Sequence, residues 1–147
     1  MAYPEVKTKL TGLITGIVPD VDPTRRFSVL RGGVAAQDAS AVSGSYRGFD
    51  LLPGAIARGS AAVGHGPKQL IQAMTLRVFY PTEKEADVRD AVNADLEQIL
   101  AVLEYVGNYA FSSTGLQNVE VGAASVQSRT GGLLLSVPLT VTYFGSH

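Results

Sequence analysis

The sequence predicts an α+β domain: a mostly antiparallel sheet with two amphipathic helices packed on one face and a long glycine-rich loop. Three observations predict it. Apolar residues recur at helical spacing over 4–18 and 88–106, alternate at strand spacing over 69–80 and 133–144, and a glycine pair at 131–132 separates the last two β-prone runs. At 147 residues the chain has the size of a single domain, 1–147, able to bury roughly two-thirds of its unfolded surface.

Each element has its own signal. Val6, Leu10, Leu13, Ile14 and Ile17 make one helical stripe, Pro4 suits its first turn, and Pro19 with Asp20-Val-Asp-Pro23 stops it. Phe27–Leu30 reads as a short strand. Between Arg31 and Gly66 there are eight Gly, eight Ala and four Ser, so most of that span has almost no side chain to pack, and only 46–52 suggests a short strand within it. Leu70, Gln72, Met74, Leu76, Val78 and Tyr80 then alternate with Ile71, Ala73, Thr75, Arg77 and Phe79, which predicts a central strand. Thr82-Glu-Lys-Glu85 has the form of a capping box, because hydroxyl and carboxylate each satisfy a backbone N–H left unpaired by the first turn. Val88, Val92, Leu96, Ile99, Leu103 and Val106 carry the helix that follows, and Gly107-Asn108 closes it. Residues 117–128 form a β-prone run and Arg129-Thr-Gly-Gly132 a reversal. Leu133, Leu135, Val137, Leu139, Val141 and Tyr143 then give the last strand a wholly apolar face, while Pro138, unable to donate to a ladder, places part of it at an edge or bulge.

Composition excludes several functions. No cysteine is present, so disulfide frameworks and thiolate zinc sites are out. A net charge of -1 gives no field for wrapping nucleic acid or coating an anionic membrane. Neither an export signal nor an apolar run long enough to span a bilayer is expected. Gly59 and Gly64 have the spacing of a phosphate-cradling loop, but His65 stands where lysine should, Pro67 removes an N–H, and a strand follows instead of a helix. Gly64-His-Gly-Pro-Lys68 is therefore expected to be the hinge where the long pliable segment rejoins the sheet. Only His65 and His147 are available as imidazoles, and no Gly-x-Ser-x-Gly elbow accompanies the serines. Glu83, Asp87 and Asp90 suit a helix dipole better than a metal. Catalytic residues, a cofactor and a metal are thus not expected. Arg25-Arg26, Arg31, Arg47 and Arg58 are spread too thinly for a phosphate clamp and divide between solvated surface and protein interface.

A small scaffold carrying a long pliable segment that a partner orders suits an assembly subunit. The N-terminal helix from Pro4, the passage Thr75-Leu-Arg-Val-Phe-Tyr-Pro-Thr-Glu-Lys-Glu-Ala-Asp87 and the ending Gly132-Leu-Leu-Leu-Ser-Val-Pro-Leu-Thr-Val-Thr-Tyr143 resemble the tail-terminator proteins of lambda-type long-tailed bacteriophages and related neck and tail-completion proteins. The likeness covers the order of elements along most of the chain and leaves 31–66 unmatched. It implies a virion protein, assembled in the host cytoplasm, whose ring, usually a hexamer, caps the tail tube and faces the head connector. DNA passes through such a ring without specific binding, and no reaction is implied. The contacts expected are with copies of itself, the tail-tube protein and a connector or stopper protein, through Arg31, Arg47, Phe49, Arg58, His65, Lys68 and Arg129. Two other readings stay open: another neck, tail-tube or completion subunit, and a small α+β enzyme or ligand-binding domain with a mobile lid.

Overall fold

The computed structural model describes residues 3–30, 46–58, 68–81, 85–105, 107, 109, 115–129 and 132–145. In chain order they form α1 (Tyr3–Thr15), β1 (Ser28–Val29), β2 (Gly48–Arg58), β3 (Lys68–Pro81), α2 (Glu85–Leu103), β4 (Leu116–Val121), β5 (Ser125–Arg129) and β6 (Gly132–Gly145). The architecture is α+β, with one sheet in the order β1-β2-β3-β6-β4 and β5 also beside β6. Among the described residues only the β1–β2 pair is parallel.

The β3–β6 ladder is the spine, running without a register shift from Lys68↔Gly145 to Pro81↔Gly132. Opposed residues share a face in such a ladder. Leu76↔Val137, Val78↔Leu135 and Tyr80↔Leu133 therefore place the predicted apolar face of β6 beside the Met74-to-Tyr80 face of β3. One buried cluster joins that face to Val6, Leu10 and Ile14 of α1 and to Val88, Val92, Ile99 and Leu103 of α2. The one polar side chain that β3 contributes there, Gln72, is satisfied because its Oε1 accepts a 3.0 Å hydrogen bond from the Tyr143 hydroxyl. On the opposite face the opposed pair Phe79↔Leu134 is also buried, which accounts for apolar residues on both sides of the alternation.

Three expectations change. Between Arg31 and Gly66, residues 48–58 are an 11-residue strand paired with β3, because the alternating Phe49, Leu51 face meets Val78 and Leu76 on β3; residues 31–45 and 59–66 of the expected loop lie outside the described residues, as do Thr82–Lys84 of the capping box. The β-prone run 117–128 is two strands laid end to end along β6, β4 against 139–143 and β5 against 132–136. Pro138 stands in a central strand, at the gap between them. The Gly122 N–H donates to the Pro138 carbonyl at 2.8 Å, and a strand residue's N–H and C=O point the same way. The N–H that proline lacks would thus have faced the interruption, and the ladder to β3 loses nothing.

Candidate functional site

Among the described residues, the polar group held by the most hydrogen bonds is Arg47, just before β2. Its backbone is left-handed, φ 61°, a conformation that costs a non-glycine residue roughly 1–2 kcal/mol. Two main-chain hydrogen bonds hold it there: its N–H donates to Phe79 O at 3.0 Å, and its carbonyl accepts from Ser28 N at 3.2 Å. The side chain is fully buried, and each of its five N–H groups has an acceptor. Nε and one Nη2 proton grip Asp95 in a fork at 2.6 and 3.1 Å; the rest go to the carbonyls of Val21, Asp22 and Arg25. The Tyr80 hydroxyl donates to the same Asp95 carboxylate at 2.7 Å.

This network ties the α1–β1 connection to the sheet and to α2. Gln98 adds to it from the next turn of α2, accepting from Asp20 N at 3.0 Å and donating to Val18 O at 2.8 Å. Burial pushes the Asp95 carboxyl up, while the hydrogen bonds from Arg47 and Tyr80 and the guanidinium charge oppose the rise. Burial, reinforced by Asp95, raises the Tyr80 hydroxyl well above its ordinary value, so it remains a donor.

At the rim of this network lies an open cleft of about 400 Å³, lined by Arg25, Arg26, Ser28, Tyr46 and Pro81. The Tyr46 ring meets Tyr80 edge-on at 5.5 Å and carries the Arg25 guanidinium at 4.7 Å and that of Arg47 at 5.2 Å. The Arg26 Nε donates to Ile17 O at 3.1 Å. Arg47 pairs with Asp95 and Arg77 with Asp50, whereas neither Arg25 nor Arg26 has a carboxylate partner among the described residues. Burial raises the Tyr46 hydroxyl as well, leaving it protonated at neutral pH.

The residues expected at an interface separate. Arg47 and Phe49 are inside the fold, a correction to their surface role: Arg47 is committed to Asp95 and three carbonyls, and Phe49 packs edge-on against Phe27 at 6.5 Å. Arg58 is exposed at the far end of β2. Lys68 opens β3 opposite Gly145, and Arg129 closes β5 opposite Gly132. Arg31 and His65 lie outside the described residues. No group of three His, Asp or Glu side chains converges to hold a metal among the described residues, and no helix there is long and apolar enough to cross a membrane.

Asp95 was the residue with a readable signal. It sits three after Val92 and four before Ile99, on the core side of the α2 stripe, where a carboxylate requires a buried partner. That the partner is Arg47, 48 positions away, has no local signature. Arg25, Arg26 and Tyr46 come together because the Arg47 hydrogen bonds close the chain between them. Compared with known proteins, the chain matches no family model and no curated protein.

Proposed function

We propose that the chain is a structural assembly subunit of the tail-terminator type, forming a ring of about six copies that caps the tail tube of a long-tailed bacteriophage and joins it to the head connector. The observation that carries this reading is the outer half of β2. Residues 52–58, Leu-Pro-Gly-Ala-Ile-Ala-Arg, are exposed in an unbroken row, with Leu52 at 40% and Ile56 at 54%. An apolar strand exposed on both faces is a surface awaiting a partner. Among the described residues β1 covers β2 only at Gly48 and Phe49, and no described strand pairs with that edge beyond them, an edge of the kind a strand from a neighbour can extend.

The same strand limits how far such pairing extends. Pro53 cannot donate, and the register against β3 shifts between Pro53 and Ile56, devices that stop an open edge from propagating. Short, bounded pairing suits a closed ring. The reading assigns no reaction to the chain, and another neck or tail-completion ring differs from it in which neighbour it meets. Native mass measurement with negative-stain imaging tests it: closed rings that add to tail-tube ends support it, and a chain that stays monomeric at every concentration and adds to no tube overturns it.

A further inference from the structure

We propose that the cleft between Arg25, Arg26, Ser28, Tyr46 and Pro81 is a binding site for a phosphate group, carried by inorganic phosphate or by a small phosphomonoester. The proposal rests on how these side chains are held before any ligand arrives, and it goes beyond the ring reading without depending on it.

Two surface arginines ordinarily mean little, because flexible cations in water gain little from an anion. These two are restrained. The Arg25 guanidinium lies over the Tyr46 ring at 4.7 Å, a cation–π contact that uses the charge and not the N–H donors, which can then meet the oxygens of an anion. The Arg25 backbone is fixed by donating from its N–H to Asp22 O at 3.0 Å and by accepting from Arg47 at 2.8 Å. Arg26 is anchored through Nε, which leaves its terminal nitrogens as donors. Tyr46 is braced from behind by Tyr80 and Arg47. Ordering these groups in the free protein removes a cost that binding would otherwise carry.

The charge count then selects the ligand class. Arg47 is neutralised by Asp95, whereas Arg25 and Arg26 have no carboxylate partner among the described residues. Asp22 and Asp95 act on the Tyr46 hydroxyl against the two arginines that face it, and of these Asp95 is already committed to Arg47. Two guanidinium forks with the Ser28 and Tyr46 hydroxyls offer more donors than one carboxylate can accept. A phosphate monoester brings a charge of about −1.5 to −2 and three terminal oxygens. The cleft, at about 400 Å³, falls within the range of small-molecule sites, roughly 300–1,000 Å³, leaving room for an organic body behind the phosphate.

The test titrates the full-length protein with inorganic phosphate, with adenosine monophosphate and with succinate, against sodium chloride at matched ionic strength, read by calorimetry and by amide chemical shifts. Saturable millimolar binding of the phosphates is expected, with shifts centred on residues 25–28 and 46 and with succinate weaker. Tighter binding of the monophosphate than of inorganic phosphate identifies a phosphorylated small molecule as the source, and equal binding identifies free phosphate. The R25Q/R26Q double variant should bind at least tenfold more weakly, R25K should fall between it and the parent, and R58Q, at the far end of β2, should bind like the parent. No saturable binding, succinate tighter than phosphate, shifts elsewhere, or unchanged binding in R25Q/R26Q would each overturn the proposal. So would steeply salt-dependent binding of oligonucleotides that phosphate does not displace, which would mark a polyanion surface. Ring formation by R25Q/R26Q, measured separately, keeps the fate of this site distinct from that of the assembly reading.

Discussion

Removing the Arg47 side chain leaves Asp95 buried with only the Tyr80 hydroxyl, and frees three carbonyls of the α1–β1 connection. Breaking a buried pair in this way costs about 3–5 kcal/mol, a large part of the roughly 5–15 kcal/mol that holds a domain folded. Arg47→Met should therefore lower the urea midpoint severely, and an unchanged midpoint would show that the network is dispensable. Tyr80→Phe keeps the ring against Tyr46 and removes one hydrogen bond to a charged acceptor, a loss of about 1.5–3 kcal/mol. The tyrosines also set the alkaline limit. Burial pushes the Tyr109 hydroxyl, which donates to Leu103 O at 2.6 Å, up to about 12 from 10.0. A folded-state value above the unfolded one means the folded chain holds that proton more tightly. Its contribution is whole below pH 10.0 and is lost as pH rises through about 12. Urea midpoints should fall over that interval, and Tyr109→Phe should make the fall shallower; parallel slopes in the two proteins would remove Tyr109 from the account.

Elements respond to glycine substitution according to what stands beside them. A Cβ at Gly12, on the exposed side of α1, meets nothing within 4 Å, so Gly12→Ala should stabilise by about 0.5–1 kcal/mol through the reduced entropy cost of the helix. A Cβ at Gly132 would lie 2.2 Å from Tyr80 O and 2.9 Å from Pro81 Cα. Gly132→Ala must push β6 off β3 at its first pair and should cost about 1–3 kcal/mol. Melting temperatures moving in opposite directions check both. The helices and the long strands were legible in the sequence because each shows its own period: Val88 to Leu103 at helical steps, Leu133 to Tyr143 at strand steps. The second half of β2 was not, since Pro53-Gly-Ala-Ile-Ala57 has a loop's composition and is strand only because β3 lies alongside. The cleft was legible in part. Arg25 and Arg26 are adjacent in the chain, but Tyr46 reaches them through Arg47, whose partners are scattered over residues 21–25 and 95 and leave no local trace.

For the whole molecule, the question is whether the exposed arm of β2 serves assembly or merely tolerates water. Leu52 and Ile56 contribute nothing to the buried cluster, so replacing exposed side chains like these should leave folding stability within about 0.5 kcal/mol. Burying them against a neighbour is worth more. At about half exposure each, they offer roughly 1 kcal/mol apiece, repeated at every contact of the proposed ring. A Leu52→Lys/Ile56→Lys double variant should keep the parent's urea midpoint while shifting the population from the proposed rings to single chains, since a lysine at a strand edge adds charge and a desolvation cost to any strand that pairs there. Gly54 supplies a second way to ask the question. A Cβ at that position would stand 2.9 Å from Ala73 O, so Gly54→Ala pries the arm from β3 without adding charge and should weaken assembly together with local stability. If the parent assembles into the proposed rings and both variants do so equally, the contact between copies lies on another face, and the arm's exposure has no part in holding them together.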